Sequence, residues 1–263
     1  MEILGYIGAV LMGVTLGLMG GGGSILTVPI LVYLFRLDMY TATMYSLFIV
    51  GLVSAVGGVR SLRNKVVDPY ALVWFGVPSV ISVLATRAWL LPGLPDPIIH
   101  VGGLIIGKSL ALLLLFAVLM LVASLSMIRR TDPSAASKER RPALLASMGL
   151  GVGLVTGLLG AGGGFLIIPA LVLFARLEIH RAIGTSLILI ATNALIGFVG
   201  DLWNGPTMDV RFLAVFSGLA IVGVLLGGRW SERIPNEKLK PAFGWFVLVM
   251  GIYIIGRELS AMA

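Results

Sequence analysis

Apolar residues along this chain form blocks long enough to cross a bilayer, separated by short polar connections. A helix needs about 20 apolar residues to cross the hydrocarbon core. Eight long blocks predict such helices, near residues 3–19, 40–59, 70–91, 104–128, 143–159, 183–200, 210–228 and 241–257. Two shorter apolar stretches, near 24–35 and 164–175, each follow a cluster of glycines and predict half-helices or broken crossings.

The two halves of the chain repeat each other at a separation of 140 residues. In that register 11 of the 21 positions from 17 to 37 are identical, and the matches include glycine, proline and arginine. Shared apolar composition would match leucine and valine alone, so the pattern indicates a duplication. We expect a first transmembrane repeat over 1–128, a basic cytoplasmic linker over 129–142 and a second transmembrane repeat over 143–263.

The distribution of Lys and Arg predicts how the two halves are oriented. If each short stretch re-enters on its own side, both halves point the same way and ten of the 19 Lys and Arg lie in the cytoplasm. If each completes a crossing, the halves are inverted and fourteen lie in the cytoplasm. The positive-inside rule favours the second arrangement. The fold class that we expect is an all-α polytopic membrane protein with two inverted-topology repeats, each of four long helices and a short glycine-preceded half-helix.

Composition excludes several classes of protein. The chain is 58% hydrophobic and 12% charged, whereas soluble domains carry about 25% charged residues. A soluble globule, a disordered chain and a nucleic-acid binder are therefore excluded. The absence of cysteine excludes disulfides and thiolate chemistry. All twelve Asp and Glu fall at the ends of spans or in connections, which argues against a cation carrier, because cation and proton sites usually place a carboxylate inside the membrane.

The glycine clusters, Gly20–Gly23 and Gly160–Gly164, are the most informative feature at membrane depth. Non-helical backbone at that depth must be buried in protein or line a wet cavity. Each cluster precedes a helix, with Ser24 as the predicted N-cap of the first, and helix N-termini attract anions. The alternative is close helix packing through small residues.

Hydroxyl and amide groups inside the spans are few, and they are the expected side-chain donors to an anion. The bland alternative is a hydroxyl bonded to a carbonyl of its own helix. The predicted substrate site consists of Gly20, Gly21, Gly22, Gly23, Ser24, Ser46, Gly160, Ala161, Gly162, Gly163, Gly164, Thr185, Ser186 and Asn193. Lys108 and His100 are candidates for an outer vestibule, although snorkelling to the interface also explains Lys108.

These residues resemble the TauE/SafE family (sulfite exporters and toluene sulfonate uptake permeases). The resemblance lies in Gly20–Gly23 with Pro29, in the partner cluster Gly160–Gly164 with Pro169, and in Thr185-Ser186. It implies a carrier of the bacterial or archaeal inner membrane for sulfur-containing anions such as sulfite, sulfoacetate and taurine-related sulfonates.

The sequence thus predicts a secondary transporter that moves a small anion by alternating access. No G-x-x-x-x-G-K-[ST] motif is present, so transport would be driven by a gradient or be passive. The expected partners are the anion and the lipid bilayer, with no cofactor, metal or nucleic acid, and a homo-oligomer is compatible with this chain. An intramembrane enzyme lacks a nucleophile–base set; the alternative that stays open is a non-transporting membrane subunit that binds or assembles a partner complex.

Overall fold

A computed structural model of the chain describes residues 2–95, 99–101, 104–128, 141–159, 163–201 and 208–262. The described residues form ten helices and one short β-ribbon. The helices are α1 (Glu2–Met19), α2 (Gly22–Tyr33), α3 (Met39–Arg63), α4 (Pro69–Gly93), α5 (Lys108–Ile128), α6 (Pro142–Leu159), α7 (Gly164–Leu173), α8 (Ile179–Asp201), α9 (Val210–Ser231) and α10 (Asn236–Met262). Strands β1 (Ile99–Val101) and β2 (Leu104–Ile106) pair antiparallel, so the predicted all-α fold is correct for the described residues outside this ribbon.

Five of these helices, α3, α4, α6, α8 and α9, are long and apolar enough to span a membrane among the residues described. Large apolar side chains cover their outer surfaces, and Trp89 and Val210 are 77% and 69% exposed. Apolar surface on this scale is a membrane-facing surface rather than a water-facing one. The protein is a multi-pass membrane protein.

Carboxylates at the starts of spans explain why acidic residues avoid the span interiors. Asp38, Asp68 and Asp209 precede α3, α4 and α9, and each accepts a hydrogen bond from a backbone N–H in the first turn, at 2.9–3.0 Å. Burial raises the pKa of Asp38, but its hydrogen bonds with Thr41 and Tyr40 outweigh burial and hold that pKa below its usual value. Charge at these positions also complements the positive end of each helix.

The repeat in the sequence is a repeat in local structure. Helices α1 and α6 begin and end 140 residues apart, and so do the ends of α2 and α7. Arg36 and Arg176 follow the short helices in the two halves, and both adopt a left-handed backbone conformation, with φ of 56° and 54°. A non-glycine residue rarely adopts this conformation, so its occurrence at equivalent positions follows from equivalent chain paths.

Helix pairing is unchanged when the two halves are exchanged. Helix α1 packs on α9, and its repeat counterpart α6 packs on α4, the counterpart of α9. Helix α3 packs on α8, α5 on α10 and α2 on α7, each on its own counterpart. Every half therefore contributes its first helix to the other half, and neither half encloses a complete core alone.

The glycines at these interfaces give the helix directions. Positions where a Cβ would touch a neighbour advance together along α1 and α9, from Gly13 against Ala220 to Gly17 against Gly228, so these two helices are parallel. Along α3 and α8 the contacts run oppositely, from Leu47 against Gly197 to Ser61 against Gly184, so α3 and α8 are antiparallel.

Helix α2 folds back along α1. Gly8 lies against Ile30, and the rings of Tyr6 and Phe35 lie 5.5 Å apart between centroids. The chain therefore returns near its starting end before α3 begins. We call the end of the molecule that carries Arg63, Lys65, Arg141 and Arg233 the basic end, and the end that carries Asp38, Gly93, Asp201 and Asp209 the distal end.

Candidate functional site

The two glycine clusters touch each other across the interface between the halves. A Cβ added to Gly21 would overlap the carbonyl group of Gly164, and one added to Gly164 would lie 2.7 Å from the Gly21 Cα. Such an approach of two backbones excludes side chains from both positions. The described parts of both clusters thus meet inside the molecule, where the backbone itself forms the surface.

Two helix N-termini lie at this contact. Helix α2 begins at Gly22 and α7 begins at Gly164, and neither N-terminus is capped by a side chain. The turns that lead into them use a left-handed glycine in each half, Gly20 with φ of 69° and Gly163 with φ of 65°. First-turn N–H groups have no partner within their helix, so both N-termini present donors and partial positive charge to the same region.

The prediction that Ser24 caps α2 is wrong. The helix begins two residues earlier, with Gly21 as its N-cap, because Gly22 and Gly23 already adopt helical geometry. The Ser24 hydroxyl instead donates to the Gly21 carbonyl oxygen at 2.8 Å. Its Oγ lies 3.1 Å from the position of a Cβ on Gly164, so Ser24 still borders the contact between the halves.

Ser186 reaches the same region from α8. Its hydroxyl donates to the Ile183 carbonyl oxygen at 2.9 Å, and its Oγ lies 2.8 Å from the position of a Cβ on Gly20. Ser46, its repeat counterpart on α3, is fully buried and its Oγ has no hydrogen-bond partner among the described residues. Back-bonding to the helix thus accounts for Ser24 and Ser186, but it does not account for Ser46.

Three other predicted residues have structural partners. Gly23 packs against Met12 and Leu16 of α1, where a Cβ would overlap backbone. The Thr185 hydroxyl oxygen accepts a hydrogen bond from the Asp68 N–H at 2.9 Å, at the start of α4.

Asn193 sits in the middle of α8 and is fully buried. Its Nδ2 donates to the Ser79 Oγ at 2.6 Å, and its Oδ1 has no partner among the described residues. Ser79 belongs to α4 of the first half, so this bond also joins the two halves.

Several predicted residues are described in part or not at all. Gly160, Ala161 and Gly162 lie outside the described residues, and Gly22 is the first residue of α2. His100 belongs to β1 and Lys108 begins α5, and the structure describes the course of the backbone there.

A cavity of about 140 Å³ leads from the basic end toward the glycine contact. Its floor includes Gly17 and Ile183, and the Ile183 Cα lies 3.0 Å from the position of a Cβ on Gly20. The polar residues that line it are Arg60, Ser61, Asn64, His180, Ser231 and Glu232. A cavity of about 150 Å³ can hold a benzene molecule, so the volume suits a small anion.

Hydrogen bonds organise the mouth of this cavity. Arg60 donates to the Leu225 carbonyl oxygen at 3.0 Å and pairs with the Glu232 carboxylate at 2.9 Å. His180 Nε2 lies 3.0 Å from the Ser231 carbonyl oxygen. Because Arg60 and His180 come from different halves, the mouth is built jointly, and the sequence analysis assigned neither residue to a site.

The structure also contains a buried ion pair that the sequence analysis missed. Arg87 of α4 pairs with Asp201, the last residue of α8, at the distal end, and the two residues are 5% and 6% exposed. Arg87 stands inside the apolar run 70–91, and a charge at such a position is itself a signal of function. Its partner was hidden because Asp201 reads as the polar end of a span.

Among the described residues, no group of three or more His, Asp or Glu side chains is placed to bind a metal ion.

Comparison with known proteins places the chain among membrane transporters. A family model described as "Sulfite exporter TauE/SafE" matches residues 6–254. The chain is 29% identical to a probable membrane transporter protein of Xylella fastidiosa, over 96% of this chain and 94% of that protein. It is 24% identical to a probable membrane transporter protein of Bacillus subtilis, over 93% and 96%, and 23% identical to one of Methanocaldococcus jannaschii, over 96% and 93%. No solved structure matches the chain.

Proposed function

The chain belongs to the sulfite exporter TauE/SafE family, and we propose that it is a secondary transporter of a small oxyanion, sulfite or an organosulfonate, in the prokaryotic inner membrane. The observation that carries this proposal is the contact between Gly21 and Gly164 beside a cavity open to the basic end. A backbone surface with two helix N-termini suits an anion, because its N–H groups donate and the helix dipoles add positive charge.

We further propose that the two halves are inverted repeats in the membrane. Since α2 returns along α1, three crossings, α3 to α5, carry the chain to the opposite end before the second half begins. The antiparallel contact of α3 with α8 and the parallel contact of α1 with α9 support this arrangement, whereas repeats of the same orientation would make α3 and α8 parallel. By the positive-inside rule the basic end faces the cytoplasm.

Inverted repeats give a physical basis for alternating access. The substrate site lies where the repeats meet, and exchanging their conformations opens first one end and then the other. The cavity at the basic end corresponds to the state open to the cytoplasm. In that state an anion reaches the glycine contact past Arg60 and His180, with Ser24, Ser186 and Ser46 as hydroxyl donors around it.

The experiment that tests this function is uptake into liposomes that contain only the purified protein. The panel is sulfite, sulfoacetate, taurine, thiosulfate, acetate and simple cations, with melting temperature measured in detergent for the same compounds. A ligand present at a hundredfold excess over its Kd stabilises the folded state by about 2.7 kcal/mol. Uptake and stabilisation by a sulfur oxyanion are expected; uptake of cations alone would contradict the proposal.

A matched variant separates the site from general damage. Ser186→Ala removes a hydroxyl beside Gly20, whereas Ser147→Ala removes a hydroxyl that is back-bonded in the same way, to the Leu144 carbonyl oxygen, on an exposed face of α6. We expect Ser186→Ala to weaken oxyanion binding and Ser147→Ala to leave it unchanged. If the purified protein transports nothing and no anion stabilises it, the non-transporting subunit becomes the better interpretation.

A further inference from the structure

The buried pair of Arg87 and Asp201 joins the two halves of the molecule at its distal end. Arg87 belongs to α4 of the first half and Asp201 to α8 of the second. Removing two charges from water is costly, and their attraction repays the cost only when the remaining donors and acceptors are also satisfied. A buried pair is therefore weak evidence for stability and calls for another explanation.

The guanidinium of Arg87 is incompletely satisfied. One nitrogen, Nη1, binds Asp201, but Nε and Nη2 have no hydrogen-bond partner among the described residues, although the side chain is 98% buried. Leaving buried donors unpaired is expensive. The Nε and Nη2 edge has the geometry that binds two oxygens of one oxyanion.

The backbone around Arg87 departs from regular α-helix. Residues Thr86–Leu90 form a π-helical segment within α4. Such segments are rare and occur mostly at functional sites. The wider turn lets Arg87 enter the interface with α8 while α4 continues to Gly93.

The repeat shows what occupies the equivalent place at the basic end. At the separation of 140 residues, Gly227 corresponds to Arg87 and Ser61 corresponds to Asp201. Ser61 lines the open cavity, and Gly228 beside Gly227 does so too. The same location in the fold is thus an open path at the basic end and a buried ion pair at the distal end.

Apolar residues close the rest of the distal path. Met44, Leu47, Ala194 and Phe198 form one buried cluster there, with Phe48 packed against it. Their counterparts at the basic end include Gly184 and Leu187, which line the cavity. The protein is therefore open at the basic end and closed at the distal end, with Arg87 and Asp201 at the closure.

From these observations we propose that Arg87 is an oxyanion-binding residue at the distal entrance, and that the Asp201 carboxylate occupies it whenever this entrance is closed. The inference rests on the proposed function and adds a binding group to it. A carboxylate and a substrate oxyanion present similar oxygens to a guanidinium. Exchanging one for the other keeps Arg87 paired, so the entrance opens and closes without leaving a lone buried charge.

The test uses the cysteine-free background of the chain. Thr43→Cys reports on the distal entrance, since Thr43 is buried on α3 and corresponds to Ile183 at the floor of the cavity. Ser61→Cys reports on the basic end. Each is reacted with a membrane-impermeant maleimide, from outside in intact cells and from the cytoplasmic side in inverted vesicles.

Asp201→Asn is expected to speed the labelling of Thr43→Cys from outside by about tenfold and to slow that of Ser61→Cys. A tenfold change in the ratio of open to closed states corresponds to about 1.4 kcal/mol, which is less than the loss of a buried ion-pair partner commonly costs. Glu232→Gln, which breaks the more exposed pair with Arg60, is the control and is expected to leave labelling of Thr43→Cys unchanged.

Arg87→Gln/Asp201→Asn keeps the experiment decisive if Asp201→Asn alone fails to fold, because it leaves no buried charge. This double variant is also expected to label faster at Thr43→Cys. Sulfate, phosphate, sulfoacetate and acetate are then added as probes. At least one of them should slow labelling in Asp201→Asn, where Arg87 is present, and none should slow it in the double variant.

Two results would overturn the inference. Labelling of Thr43→Cys at the parental rate in the double variant would show that the ion pair does not close the entrance. Failure of all four oxyanions to slow labelling in Asp201→Asn, or equal slowing without Arg87, would remove Arg87 as their binding group. Neither readout requires transport, so a failure of the proposed function appears separately, as liposomes that take up no oxyanion.

Discussion

Thr185 has a hydrogen-bond partner that gives it a structural role. Its hydroxyl oxygen accepts the Asp68 N–H at 2.9 Å and so fixes the chain where α4 begins. The sequence offered Thr185 as a substrate ligand because it adjoins Ser186. Neighbouring residues on a helix point about 100° apart, so Thr185 and Ser186 face different partners.

Thr185→Val should therefore lower stability. Valine has nearly the same shape but no acceptor, so the buried Asp68 N–H loses its bond at a cost of about 1 kcal/mol. Thr185→Ser keeps the acceptor and should melt close to the parent protein. Melting temperatures in detergent test this; an unchanged melting temperature for Thr185→Val, together with weaker anion binding, would return Thr185 to the substrate site.

Asn193 combines a structural bond with an open valence. Its Nδ2 donates to the Ser79 Oγ at 2.6 Å, while its Oδ1 is buried without a partner among the described residues. A carbonyl oxygen repels an anion, so Asn193 serves the proposed site through position rather than through this atom.

We expect Ser79→Ala and Asn193→Ala to be coupled. If the bond contributes to folding, the losses of stability in the two single variants should exceed that of the double variant by about 0.6 kcal/mol, the average for such bonds between membrane helices. Thermal or denaturant unfolding of all four proteins measures the coupling. Strict additivity would mean that the hydrogen bond does not contribute.

At the scale of elements, glycines determine how closely the parallel helices α1 and α9 approach. A Cβ on Gly223 would overlap the Val10 carbonyl oxygen and lie 2.9 Å from the Val14 N. Such contacts are the close packing through small residues that membrane interfaces favour. The alternative explanation of the glycine clusters therefore holds for Gly23, while the contact of Gly21 with Gly164 joins the two halves.

Gly223→Ala should destabilise the protein by about 1–3 kcal/mol, the cost of overpacking. Gly218 is the matched control on the same helix, since nothing lies within 4 Å of a Cβ placed there. Gly218→Ala should be neutral or stabilising by up to about 1 kcal/mol, because alanine favours helix. The two variants are compared by the temperature at which each loses its monodisperse detergent-solubilised form, and equal temperatures would contradict the assigned packing.

At the scale of the whole molecule, the proposed inversion of the repeats is open to a direct test. Asp38 and Glu178 occupy equivalent, exposed positions just before α3 and α8. We expect Asp38→Cys to react with an impermeant thiol reagent from outside and Glu178→Cys to react from the cytoplasm, because α3 and α8 are antiparallel. Reaction of both from the same side would establish parallel repeats instead.

The pattern of apolar blocks, the duplication and the helical fold could be predicted from the sequence because they depend on local composition and on spacing. Membrane crossing requires only length and hydrophobicity, and a repeat is visible wherever glycine, proline and arginine recur in register. The positions of α1, α2 and α7 follow closely from those signals.

Pairings between distant residues were decided by the tertiary structure. Arg87 meets Asp201, Gly21 meets Gly164 and Asn193 meets Ser79 only because each half packs its helices against the other. No local pattern specifies such contacts. The sequence by itself determined a duplicated membrane protein with glycine-broken helices; the tertiary structure decided which end is open, because closure depends on side chains brought together from both halves.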